Sequence, residues 1–215
     1  MTAVVTRSLE LGFAGHPTII RSLDLRVPKR RKVALVGPNG GGKTTLLRAL
    51  AGELSPLAGS IEILGQTPAL ARRSISYLPQ TITFDKSFPI TLWEFVALGT
   101  LPRRSWWSWL TPGKKQKVDQ IMARLNLREL AHKPISQLSG GQLQRGILAR
   151  GLIRDAEVLL FDEPLSAVDG MNRRLVWEAL DLAVEEGATL LFVTHNSEDS
   201  SRCDICLQVD RGQVS

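Results

Sequence analysis

Apolar positions along this chain fall into alternation at the start, helical spacing in the middle and short unbroken runs elsewhere. Residues 3–14 alternate well enough for a strand that ends at an aromatic, Phe13. Ile19 to Val27 predicts a second strand, with Leu23, Leu25 and Val27 on one face. Val33-Ala34-Leu35-Val36 is a solid apolar run, followed by a glycine-rich stretch and a helix-like segment, Leu46 to Leu50. Past a loop from Gly52 to Gly59, Ser60–Gly65 and Ser74–Gln80 predict strands, the second stopped at Pro79. Residues 84–150 lose the alternation. Thr91–Leu98, Val118–Leu127 and Leu143–Leu152 carry helical spacing instead. Beyond them come apolar strands at Val158–Glu163, Ala188–His195 and Ile205–Val209, with a helix from Arg173 to Val184. The pattern predicts one α/β domain over 1–215, with a core of about 1–83 and 151–215 and an inserted helical subdomain of about 84–150.

A chain of 215 residues with 43% hydrophobic content has room for such a core. No apolar run approaches the length that crosses a bilayer, and residues 1–15 lack a secretory pattern, so a cytoplasmic location is expected. The net charge of +6 is uneven: residues 1–153 carry 22 Lys/Arg against 8 Asp/Glu, and residues 154–215 carry 5 against 13. A nucleotide-binding front, an anionic membrane surface and nucleic acid all suit the basic part. Charge alone separates none of them. Within it, Pro28-Lys29-Arg30-Arg31-Lys32 reads as an import signal, a nucleic-acid patch or a turn, and the turn fits better because Val33 follows without a linker. Cys203 and Cys206 are spaced like a redox pair or half a zinc site. No second pair lies nearby, and the surrounding apolar strand favours two reduced, buried thiols.

The glycine-rich stretch is Gly37-Pro38-Asn39-Gly40-Gly41-Gly42-Lys43-Thr44-Thr45, placed between strand and helix. That context makes G-x-x-x-x-G-K-[ST] a phosphate cradle of backbone N–H groups ending on a helix N-terminus. Lys43 would neutralise β- and γ-phosphate charge, and the Thr44 hydroxyl would ligate Mg²⁺. Ser139-Gly140-Gly141-Gln142 offers a second such site, with Ser139 placed to cap the helix that follows. Two such sites must either share one nucleotide within a chain or complete each other in a dimer. Asp162 suits a Mg²⁺ ligand, and Glu163 suits deprotonating an attacking water. Gln80 and His195 also stand at strand ends, where ligand sites of open α/β sheets lie. Phe13 reads equally as a stacking face for adenine or as core. Trp106, Trp107 and Trp109, interleaved with cations, suit a membrane interface, a protein partner, base stacking, or a loop folded on its own helices.

Together, Gly37–Thr45, Gln80, Leu138–Gln142, Val158–Glu163, Ser166–Asp169 and His195 stand in the order and spacing of an ABC-transporter ATP-binding subunit, which the whole chain resembles. The resemblance implies a P-loop NTPase (RecA-like) α/β fold, with a mixed sheet, an antiparallel β edge and an inserted α-helical subdomain. It implies ATP and Mg²⁺ as cofactors. Phe13 would stack on adenine, where the family usually has tyrosine. Gln80 would couple the metal to the membrane partner, Glu163 would be the base, and His195 would contact the γ-phosphate. Asp169 would help form a homodimer on ATP binding, and Ser139 and Gly141 would act on the partner's ATP. Lys29–Lys32 departs from the glycine-acid turn that precedes the loop in the family.

A narrower likeness is to bacterial zinc and manganese importers. It rests on Tyr77-Leu78-Pro79-Gln80, on Phe88 to Gly99 and on Glu163 to Asp169. It implies integral membrane permease subunits as partners, indirectly a periplasmic or surface metal-binding protein, and a peripheral position at the cytoplasmic face of a bacterial membrane. Nucleic acid is not expected as a partner. A soluble ABC ATPase acting on nucleic acid or the ribosome, or the ATPase of an exporter, are the alternatives. The first usually carries two cassettes or a coiled-coil insertion, and this chain has neither.

Overall fold

A computed structural model describes residues 1–13, 15–80, 89–101, 111–210 and 212–214. In chain order these residues form β1 (Thr2–Leu11), β2 (Ile20–Pro28), β3 (Lys32–Val36), α1 (Lys43–Leu50), β4 (Ala58–Ile63), β5 (Ile75–Leu78), α2 (Leu92–Ala97), α3 (Pro112–Arg124), α4 (Gly140–Leu152), β6 (Val158–Asp162), α5 (Gly170–Glu185), β7 (Thr189–Val193), α6 (Ser197–Ser201), β8 (Ile205–Asp210) and β9 (Gln213–Val214). They divide into two compact units. One comprises Met1–Gln80, Ala156–Glu163 and Val184–Ser215, and the other Thr81–Asp155 and Pro164–Ala183.

The first unit holds both sheets. The alternating N-terminal segment pairs antiparallel in the order β2-β1-β4. The second sheet runs β5-β6-β7-β3-β8-β9, parallel except where β9 turns back on β8. Every residue of β6 and β7 is buried, as solid apolar runs in a parallel sheet covered on both faces require. Val33, Leu35, Leu46, Leu47, Leu50, Leu160 and Leu191 share one core with Val4, Leu9 and Ile63 of the first sheet.

β8 departs from the expected buried strand. Its Ile205, Leu207 and Val209 turn to the core while Cys206, Gln208 and Asp210 are exposed, so it is covered on one face only. Cys206 is therefore an exposed thiol rather than a buried one. Cys203 is half-buried, and burial pushes its thiol up to about 12.

The basic turn between β2 and β3 is a staple. Lys29 pairs with Glu157 at 3.5 Å and Arg31 with Asp204 at 3.6 Å, while the Lys32 N–H donates to Asp204 at 2.7 Å. The Arg30 N–H donates to the Thr189 hydroxyl at 3.0 Å from a left-handed backbone (φ 57°). These partners stand at the amino ends of β6, β7 and β8, opposite the ends where a ligand site lies. The turn thus has its left-handed residue without a glycine.

In the second unit, Thr91 and Glu94 close a capping box on α2. The Trp93 indole donates to Asp119 at 2.7 Å, and Arg150 lies 4.9 Å above the Phe95 ring. Lys117 pairs with Asp155 at 2.8 Å, and Lys114 donates to the Thr100 carbonyl, so two lysines of the basic segment are engaged inside their own unit. Trp106–Trp109 and Phe88 lie outside the described residues. No helix among the described residues is long and apolar enough to cross a membrane.

Candidate active site

Parallel pairing of β6 with β7, and of β7 with β3, lines up three carboxyl ends in the first unit. β3 delivers Gly37, β7 delivers Thr194 and His195, and β6 delivers Asp162 and Glu163. Gln80 follows β5, the neighbour of β6, and is exposed.

Two glycines of the loop are dictated by crowding. The Val209 carbonyl of β8 occupies the space a Cβ on Gly37 would need, and would lie 2.8 Å from one on Gly41. Gly42 turns into α1 at φ 107°, with Ile19 and Ile20 side chains 3.2 and 3.1 Å from where its Cβ would be. No side chain caps α1, so its leading N–H groups are left for an anion. Asn39 and Gly40 are exposed on the loop, Thr44 is exposed and Thr45 half-buried.

Lys43 is buried and its ammonium donates to the Gly37 and Pro38 carbonyls at 2.9 and 2.8 Å. Burial lowers its pKa, and Glu163 and Asp162 oppose the shift. Asp162 is only 2% exposed, yet neither carboxylate oxygen has a hydrogen-bond partner among the described residues. Burial pushes its pKa up; the nearby Thr44 hydroxyl offsets part of this without reaching hydrogen-bond geometry. A buried carboxylate left bare beside a hydroxyl is a donor set that fits a hard divalent cation. The Tyr77 hydroxyl is a second buried group without a partner among the described residues, and burial, then Asp162, raise its pKa.

Glu163 sits at φ 48°, a left-handed backbone that a non-glycine residue adopts at a cost. Pro164 follows and disfavours the right-handed helical alternative. The Glu163 N–H donates to the Val193 carbonyl at 3.2 Å, and its Oε1 lies 2.9 Å from His195 Nε2. Phe13 lies just past β1 and is 40% exposed, so it is a surface aromatic rather than a core one.

Ser139, Gly140, Gly141 and Gln142 belong to the second unit. The Gln142 N–H donates to Ser139 Oγ at 3.3 Å and the Ser139 N–H to Gln142 Oε1 at 3.0 Å, a reciprocal cap on α4. A Cβ on Gly141 would lie 2.9 Å from the Ala167 carbonyl, and Gln144 donates to the Pro164 carbonyl at 2.9 Å. Asp169 accepts from the Asn172 N–H and side-chain amide, which lowers its pKa.

Sequence reasoning missed Tyr77 and the buried pair Thr194–Asp199, bonded at 3.1 Å. The register could have pointed to Tyr77. It pairs with Leu160, so its side chain shares a face with Asp162, two residues on. Asp199 had no comparable signal, being one acid in a polar helix turn.

Residues 20–166 match the family model described as ABC transporter. TroB, the zinc transport system ATP-binding protein of Treponema pallidum (strain Nichols), is 34% identical over 196 residues, covering 90% of this chain and 73% of that one. CbrD, the achromobactin transport ATP-binding protein of Dickeya dadantii (strain 3937), is 36% identical over 202 residues, covering 91% and 74%. A solved ATP-binding subunit of an ABC transporter superposes with a TM-score of 0.87 over 99% of this chain and 88% of that one; at 22% identity this likeness shows the P-loop NTPase fold. The chain belongs to the ABC transporter family, as an ATP-binding and ATP-hydrolysing subunit that works with permease partners.

Proposed function

We propose that this subunit powers a membrane importer whose cargo is a metal ion, zinc first and manganese second. Kinship with TroB, a zinc transport protein, supports the cargo. The observation that carries the chemistry is the bare, buried Asp162 beside Thr44 and Lys43. Thr44, Asp162 and Gln80 would hold Mg²⁺, which when bound neutralises charge developing on the β- and γ-phosphates. The N–H groups of Gly37–Thr45 and the Lys43 ammonium bind the phosphates, and Phe13 stacks on adenine. Glu163 takes a proton from the attacking water, and His195 contacts the γ-phosphate. Ser139, Gly140, Gly141 and Gln142 act on the ATP of a second copy in a homodimer that closes on nucleotide.

In this reading the chain is one cassette, with a core of about 1–83 and 151–215 and an insert of about 84–150. It sits at the cytoplasmic face of a bacterial membrane, against permease subunits that receive metal from a periplasmic or surface binding protein. Kinship with CbrD keeps achromobactin as a second reading of the cargo. The test is capture of the Glu163→Gln variant from solubilised host membranes with ATP. A polytopic membrane protein travelling with a metal-binding protein supports the importer; ribosomes, DNA or soluble proteins alone overturn it.

A further inference from the structure

We infer that Asp199 is a positioning residue for His195, acting through the Thr194 hydroxyl. The inference rests on the hydrolytic reading above. Asp199 lies on α6, 2% exposed, and its Oδ2 accepts from Thr194 Oγ1 at 3.1 Å. The same hydroxyl accepts from the Asn196 N–H at 3.0 Å, so it bridges across the residue between, His195. The Thr194 N–H donates to the Leu35 carbonyl at 3.2 Å, tying this corner to the strand that leads into the phosphate loop. On the other side the Asn196 side chain caps α6, accepting from the Glu198 N–H at 2.7 Å.

His195 is thus flanked on both sides by anchored residues, while its own ring is 42% exposed and 2.9 Å from Glu163. When Glu163 turns to a water, the imidazole relies on its backbone for aim. A chain of bonds through one hydroxyl is cooperative, since each polarises the next. Losing the Asp199 end frees the hydroxyl to rotate away from the Asn196 N–H. A shift of about 1 Å at a reacting group costs on the order of 100-fold in rate.

The experiment is steady-state Mg-ATP hydrolysis by the full chain, with kcat and KM resolved. Asp199→Ala and Thr194→Val lower kcat roughly 10-fold to 100-fold, with KM within about two-fold. Asp199→Asn keeps an acceptor and Thr194→Ser keeps the hydroxyl, so both hold kcat within about three-fold. The double variant Thr194→Val/Asp199→Ala is no slower than the worse single one, because both break the same link. Unchanged kcat in Asp199→Ala, or no rescue by the conservative variants, overturns the inference. A second readout does not need activity: of the 3 histidine rings, that of His195 shifts its proton NMR signal in Thr194→Val while His16 and His132 do not. An unmoved His195 signal overturns it too. Failure of the parent reading looks different, since then His195→Ala would hydrolyse ATP as fast as the unaltered chain.

Discussion

His195 Nε2 lies 2.9 Å from Glu163 Oε1, where side chains from the ends of two neighbouring strands meet. The Glu163 N–H donates to the Val193 carbonyl, so the backbone fixes the acid to β7. Its left-handed backbone, at φ 48°, stores about 1–3 kcal/mol that the surrounding bonds must hold.

Glu163→Gln keeps the size of the side chain while removing the base. Phosphate release should fall by about 10²-fold to 10⁴-fold, with nucleotide affinity retained. Size-exclusion chromatography with Mg-ATP should then show a trapped dimer. Turnover at the unaltered rate would take Glu163 out of the base role.

Asp162 makes an opposite demand on stability. Its buried, unpartnered carboxylate has a raised pKa, so the folded state favours the protonated acid more than the unfolded chain does. Stability is therefore lost as pH rises from the ordinary aspartate value, about 3.9, through the raised one, and the penalty is complete above it. Asp162→Asn removes this penalty. Without metal or nucleotide it should unfold about 2–4 °C higher at neutral pH, for a gain on the order of 1 kcal/mol. The advantage should shrink as pH falls. Mg-ATP should stabilise the unaltered chain more than the variant, and thermal melts across pH with and without Mg-ATP check both signs.

The strands of the first unit were legible because a parallel sheet demands solid apolar runs, and Val158–Asp162 and Thr189–Val193 are such runs. The loop between β3 and α1 was legible for a different reason. The Val209 carbonyl leaves room there only for glycine, so its chemistry is written in composition. The basic run Lys29–Lys32 was not legible beyond being a turn. Its partners Glu157, Thr189 and Asp204 are remote in sequence, and only the fold brings them together. The exposure of Cys206 was hidden likewise, since an apolar run does not say how many faces of a strand are covered. Thr194 and Asp199 escaped because one hydrogen bond between polar residues leaves no periodic trace.

Ser139 caps α4 and, in the proposed dimer, would also meet the partner's nucleotide, and substitutions divide the two. Its hydroxyl caps α4, so Ser139→Ala should cost about 1 kcal/mol of stability. Ser139→Arg adds a bulky cation where the partner's nucleotide would approach. Mg-ATP should still bind the monomer with unchanged affinity while dimerisation is lost. Calorimetric titration with Mg-ATP, alongside light scattering, reads the two apart. Dimerisation of Ser139→Arg on ATP would overturn the proposed cross-dimer role of Ser139–Gln142.

Phe13 is exposed enough to offer a ring face and carries no hydroxyl. It stands between β1 and β2, ahead of Ile19 and Ile20, whose side chains fill the space a Cβ on Gly42 would need at the base of the phosphate loop. A base held there is held by stacking, worth about 1–3 kcal/mol. Phe13→Ala should therefore raise the KM for ATP by roughly 5-fold to 150-fold, with kcat nearly unchanged because stacking on the base holds ground state and transition state alike. Phe13→Tyr keeps the face and should match the unaltered chain. Stacking tolerates any purine, so GTP should lose affinity in Phe13→Ala by the same factor as ATP. A loss confined to ATP would mean that a base-specific bond, not the ring, holds the nucleotide.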